Sequence, residues 1–168
     1  INIITKQAQD TSSASLQVSH ASFNTLEARL NLSAVKDSVA LKLDAAKYDS
    51  DGHRHNGDLR KDDFSAKLTY EPMDWATLEL GARYHKDRYG LPGSISREAF
   101  LLSGLSRRQT NMPRDRGETI DQNYHLKFIL DLGAFGSLSG TGNYRSRQNP
   151  YVIGFSPLLT VREQQSKI

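Results

Sequence analysis

The stretch that most constrains this chain is residues 63–89. Phe64, Ala66, Leu68 and Tyr70 fall on one side of an extended strand, with Ser65, Lys67 and Thr69 on the other, because successive strand side chains point to opposite faces. Four residues of turn material follow: Glu71, Pro72, Met73 and Asp74. Ala76, Leu78, Leu80, Ala82 and Tyr84 then alternate with Thr77, Glu79, Gly81, Arg83 and His85, so the two-faced pattern runs back as a β-hairpin. Its arms run about ten residues each, where soluble strands more often run about five or six and a tilted strand crossing a bilayer needs roughly nine to eleven. That length points to a membrane barrel.

Composition alone would read differently. Of 168 residues, 37% are hydrophobic and 24% charged, and the mean hydropathy is −0.59, values ordinary for a soluble globular domain. No run of about eighteen apolar residues exists, which excludes a transmembrane helix. A transmembrane β-barrel stays open, because its strands turn only half their residues toward lipid. There is no cysteine, hence no disulfide and no thiolate metal site. The chain opens at Ile1 with no initiator Met and no n-region, h-region or cleavage site, and is expected to be part of something longer.

The same alternation recurs along the chain. A short β-branched strand over residues 1–6 ends in a polar linker, residues 7–13, and Ala14, Leu16 and Val18 open the first long strand. Leu26, Ala28, Leu30, Leu32 and Ala34 stand against Glu27, Arg29, Asn31 and Ser33; Val39, Leu41, Leu43 and Ala45 continue after a turn. The phase slips at Ala45 and Ala46, since Tyr48 falls on the polar parity, and a β-bulge is expected there. Residues 49–60 read as a loop, and residues 88–119 as a connection far beyond the usual loop length, of the kind that is generally functional or disordered. Within it, residues 95–105 have near-helical apolar spacing, either a short helix over a barrel mouth or a hydrophobic ligand shelf. Tyr124, Leu126, Phe128, Leu130 and Leu132 form another apolar face; Leu138, Gly140, Gly142 and Tyr144 return after a turn at residues 133–136. Residues 148–156 read as a loop before an eighth strand.

Connections at residues 35–38, 71–74 and 133–136 are short, and those at 49, 88 and 148 longer. Outer-membrane barrels follow that rule, with short periplasmic turns and long extracellular loops, so the first strand runs outward. Tyr84, Tyr124 and Tyr144 near loop ends, and Tyr70 and Trp75 at the short-turn end, are placed for two aromatic girdles. The plainer reading of these tyrosines is good β-formers. A soluble barrel or sandwich shares the alternation with the apolar face turned inward, but Gly81, Gly140 and Gly142 would weaken ordinary soluble strands.

Chemistry-bearing clusters are few. His53 and His55 are candidate metal or haem contacts, but two imidazoles at i, i+2 without a third ligand read first as solvated loop polars. Arg97, Arg107, Arg108, Arg114 and Arg116 gather near Glu98, Asp115 and Glu118. Guanidinium suits carboxylate and phosphate, so an anionic ligand or lipopolysaccharide phosphate at the rim fits them, with a solvated charged loop as the simpler alternative. No nucleophile elbow, phosphate-binding glycine loop, zinc spacing or carboxylate dyad motif occurs, so neither an enzyme nor a bound cofactor is supported. The basic residues are too dispersed for nucleic-acid binding.

Ile1, Asn2, Ile3, Ile4, Thr5 and Lys6 resemble the last plug strand of TonB-dependent outer-membrane receptors, where such a stretch precedes a polar linker and the first barrel strand. Hairpins with Pro/Asp-containing turns, and Tyr89, Gly90, Leu91, Pro92 and Gly93 opening a long loop, are similar too. The resemblance implies residues 1–6 as plug end, 7–13 as linker and 14–168 as the first part, about eight strands, of an all-β, antiparallel up-and-down transmembrane barrel of twenty-two strands. It also implies a Gram-negative outer membrane, energised uptake of a metal chelate such as an iron-siderophore complex, or of haem or cobalamin, and coupling to TonB through a region N-terminal to this one. The alternative is a small, complete eight-stranded barrel with a structural or adhesive role.

Overall fold

A computed structural model describes residues 12–102, 107–155 and 158–167. Eight strands follow one another: β1 (Ser13–Ala21), β2 (Thr25–Lys36), β3 (Val39–Ser50), β4 (Leu59–Met73), β5 (Ala76–Gly90), β6 (Arg116–Asp131), β7 (Ser137–Phe155) and β8 (Leu158–Lys167), with a short helix, α1 (Arg97–Leu102), between β5 and β6. Each strand pairs antiparallel with its sequence neighbours, in the order β1 to β8. This is the up-and-down topology that the alternation predicts. β1 and β8 are the two edges, so the sheet is open; a closed eight-stranded barrel needs a β1–β8 pair that the strand order of the described residues lacks. The plug strand and most of the linker expected at residues 1–11 lie outside the described residues.

Register turns the alternation into two faces. Leu41 pairs with Leu68, Leu68 with Leu80 and Leu80 with Leu126, so one leucine row crosses four strands. The offset row pairs Lys42 with Lys67 and Glu79 with Lys127. Directly paired residues share a face, so the two rows lie on opposite sides of the sheet. Among the described residues no hydrophobic side chain is buried: Leu16 is 71% exposed, Leu80 42% and Tyr144 52%. Burying apolar surface is worth about 25 cal/mol per Å², and a sandwich or soluble barrel would bury this face. Here no protein layer covers it.

The outermost aromatic residues of this face on successive strands are Phe64, Tyr84, Tyr124 and Tyr144, the last two one rung lower in register than the first two. A tilted sheet displaces equal heights along the register in this way. Toward the short turns lie Tyr70, Met73 and Trp75, all exposed. From Phe64 to Met73 the strand covers about 30 Å, or about 23 Å of height at a tilt near 40°, close to the apolar band of outer-membrane barrels.

Three expectations need correction. β3 holds continuous register with β2 from Val39 to Asp49 and with β4 from Val39 to Ser50, with no bulge at Ala45 or Ala46. Tyr48 simply joins the polar face opposite Lys61, whose ammonium sits 5.7 Å from the Tyr48 ring centroid. Residues 148–155 are strand, not loop, because Gln148 to Phe155 pair with β8. Backbone hydrogen bonding there overrides a polar, Pro-containing composition. The long connection is also shorter than residues 88–119, because β5 continues to Gly90 and β6 already begins at Arg116. Tight turns close the other end: Asp37 takes a φ of 51° in the two-residue β2–β3 turn, and the β4–β5 register shifts between Tyr70 and Met73, around Pro72. Proline cannot donate to a ladder, so an irregularity suits it.

Candidate functional site

The longer connections meet at one end of the sheet. Asp51 N–H donates to the Phe23 carbonyl at 3.0 Å, and His55 N–H to the Arg108 carbonyl at 2.7 Å, so residues 22–24, 51–58, 91–102 and 107–115 form one rim. Two side chains of the shorter loop organise it. Arg54 donates to the carbonyls of Gln109 (3.1 and 2.9 Å), Pro92 (3.1 Å) and Gly93 (2.5 Å). Asn56 holds a φ of 57°, in the left-handed region that Asn tolerates. Its side-chain amide donates toward the carbonyls of Leu91, Met112 and Asp115 at 3.2, 2.6 and 2.8 Å. Buried Asp115 in turn accepts the Gly154 N–H on Oδ1 at 2.9 Å. Both roots of residues 91–115 are therefore tied to the neighbouring loop, and α1 lies between them.

The candidate residues separate on this frame. His53 packs edge-on to Phe23, ring centroids 5.3 Å apart, and its carbonyl accepts Arg108 Nε–H at 3.2 Å. His55 enters through its backbone. No group of three metal-capable side chains forms among the described residues, so the histidines are not brought together as a metal site. Arg107 lies 5.7 Å from the Phe100 ring centroid, and Arg97 and Arg114 are exposed. Arg116 is not a loop residue: it starts β6, opposite Gly90 and Val152. There it lines a cavity of about 670 Å³ with Arg60, Arg88, Glu118 and Asp58. Sequence reading missed Arg54 and Asn56, although the Asn56–Gly57 pair is a turn signal. It also missed Arg60 and Arg88, which only register brings beside Arg116.

Below the rim the polar face is cross-linked strand to strand. Lys67 reaches Glu79 at 2.7 Å, and Glu79 is 3.1 Å from His125. His85 stands between Asp63 at 2.6 Å and Asp87 at 3.2 Å. Arg145 pairs with Asp121, and Asn123 donates to Asn143 at 3.0 Å. Lys67 and Glu79 are 17% and 20% exposed, well below Leu80 and Leu126 of the other face. Gly81 makes room for the second of these contacts, because a Cβ there would collide with the His125 ring. Charges of both signs pair internally, the pattern of a polar lining.

Long antiparallel strands with one uncovered apolar face, one paired polar face and loops gathered at a single end have the architecture of a transmembrane β-barrel wall. Among solved structures the chain is similar to the ferric citrate transporter FecA in its unliganded form, with a TM-score of 0.73 and 18% identity over 89% of this chain and 23% of that one. It is likewise similar to the ferric-catecholate import receptor Fiu from E. coli K12 in its open form, with a TM-score of 0.73 and 14% identity over 97% of this chain and 30% of that one. Both neighbours are TonB-dependent receptors, the family that the sequence resembles, and at these identities the likeness is one of fold. The chain spans less than a third of either protein. No protein-family model matches the chain, and no curated protein does.

Proposed function

We propose that this chain is the early barrel wall of a TonB-dependent outer-membrane receptor that takes up a scarce nutrient as an iron chelate. Residues 1–6 are the plug end, 7–13 the linker and 14–168 the first strands of the wall. The observation that carries the reading is the uncovered apolar face backed by a paired polar one, in a sheet of the same fold as two proteins named for importing ferric chelates. Lipid occupies the apolar side, and the polar side lines the lumen. The exposed rim arginines Arg97, Arg107 and Arg114, together with Arg108, suit an anionic chelate approaching from outside, while His53 and His55 shape the loop that holds them. TonB couples through a region N-terminal to the wall.

Iron-limited growth tests this. A strain lacking the receptor loses growth on at least one ferric chelate, regains it with the intact gene and fails again when TonB is absent. Uptake that proceeds equally without TonB would refute the proposal.

A further inference from the structure

The first row of the polar face beyond the Phe64–Tyr84 edge holds Asp63, His85 and Asp121, paired in register across β4, β5 and β6. His85 sits between two carboxylates, one at each ring nitrogen: Asp63 Oδ1 is 2.6 Å from Nδ1, and Asp87 Oδ2 is 3.2 Å from Nε2. A neutral imidazole carries one N–H and can donate to only one of them, whereas the imidazolium donates to both. Placing the extra proton on a carboxyl instead would put it on the weaker base. The arrangement therefore holds a charged ring, which joins β4 to β5 through Asp63 and grips its own strand through Asp87.

The neighbouring charges leave Asp87 with His85 alone. On β6, Asp121 faces the ring but is held from β7 by Arg145, whose Nε lies at 3.0 Å, with Arg147 at 3.9 Å. On β5 itself, Arg83 lies on the same face two residues below and forms no ion pair among the described residues. On β4, Lys61 is the register partner of Asp87, near enough for a lysine to reach it. Its ammonium nevertheless lies over Tyr48, 5.7 Å from the ring centroid. Asp87 Oδ1 is buried without a protein hydrogen-bond partner. Asp87 thus depends on the His85 proton, and one alternative cation stands beside it. Just beyond, Gly90 N–H donates to the Asp58 carbonyl and Leu91 N–H to the Asp115 carbonyl, both at 2.9 Å, where the long loop is rooted.

We propose that His85 is a proton-operated clasp below the root of the long loop, with Lys61 as its second position. Protonated, the ring bridges Asp63 and Asp87 and leaves Lys61 over Tyr48. When the surrounding water turns alkaline, the ring gives one proton to solvent, keeps the shorter bond to Asp63 and releases Asp87, whose carboxylate draws Lys61 off Tyr48. The pH outside the wall thereby sets which side chain holds the end of β5. The clasp needs no particular cargo.

Magnetic resonance on the protein in detergent micelles tests this, with nitrogen-labelled histidines and carbon-labelled dimethyl-lysines, a modification that keeps the charge. The signals lost in His85→Gln and in Lys61→Arg identify the two residues. At pH 7 the His85 ring shows both nitrogens protonated, and the dimethyl-Lys61 signal carries the displacement that an aromatic ring current imposes. Raising the pH converts both signals with one midpoint. Asp87→Asn lowers that midpoint by about one pH unit or more, as loss of a neighbouring charge does, while Asp74→Asn, at the short-turn end, leaves it unchanged. A ring with a single proton at pH 7 overturns the proposal, and wild-type protein alone decides this should Asp87→Asn fail to fold. So does a midpoint that ignores Asp87→Asn, or a Lys61 signal that stays fixed while His85 titrates, which marks a charged histidine without a switch.

Discussion

Arg54 donates two hydrogen bonds to the carbonyl of Gln109, at 3.1 and 2.9 Å, across 55 residues of sequence. With its bonds to Pro92 and Gly93 it fastens both roots of the long loop to a shorter neighbour. Hydrogen bonds to a charged donor are worth about 1.5–3 kcal/mol each when sheltered and less at an exposed rim. Arg54→Ala is expected to raise amide exchange across residues 91–96 and 107–115 by about 10- to 100-fold while the strands stay protected. Exchange that rises equally in β4 and β5 would show that Arg54 stabilises the sheet and not the loop.

Gly81 and His125 make a second testable pair. A Cβ at Gly81 strikes the imidazole that stands 3.1 Å from Glu79. Gly81→Val should push His125 away and destabilise the wall by about 1–3 kcal/mol, the usual cost of overpacking, seen as a lower urea midpoint for the loss of heat-modifiable mobility on gels. The double variant Gly81→Val, His125→Ala should recover much of that loss.

The two faces predict opposite tolerance to charge. Leu80→Arg, in the middle of the apolar rows, is expected to cost about 2–4 kcal/mol, as arginine does at a bilayer midplane. Thr69→Lys, on the polar face next to Glu79 in register, is expected to cost less than about 1 kcal/mol. Folding titrations into bilayers measure both.

Glu118 lies outside the band, six residues beyond Tyr124 on β6. Partial burial raises its carboxyl pKa, but the Lys86 and Arg88 cations outweigh it and hold the group below its ordinary 4.5. A depressed pKa contributes stability above the unfolded value and loses it as pH falls through the folded one. Wild type and Glu118→Gln should thus differ in protection of the β5–β6 rim at pH 7 and converge below pH 4.5. A constant difference across that range would mean the ion pairs contribute nothing there.

Two-sided alternation was enough to read the sheet, its order and the polarity of its faces, because side-chain period and register are locked together once one face is uniformly apolar. It failed where hydrogen bonding, not burial, sets the structure. Residues 148–155 continue as strand on the strength of their ladder with β8, and composition does not report a ladder. Tyr48 looked like a slipped phase because an aromatic was assumed to be apolar-facing, while its ring in fact serves Lys61. The rim was legible only in part. Arg116 was visible as a cation, but its neighbours Arg60 and Arg88 are 56 and 28 positions away and meet it only through register. Arg54 and Asn56 act on carbonyls, which have no signature in sequence.

The central claim is that the leucine and tyrosine face meets lipid and the charged face meets water. Because the sequence contains no cysteine, single cysteines at successive positions from Thr77 to Ala82 can carry nitroxide labels in the protein reconstituted in bilayers. Oxygen accessibility should peak at Leu78, Leu80 and Ala82, and accessibility to a water-soluble nickel chelate at Thr77, Glu79 and Gly81. The same two-residue period with its phase reversed, oxygen favouring Glu79 and nickel favouring Leu80, would contradict the account.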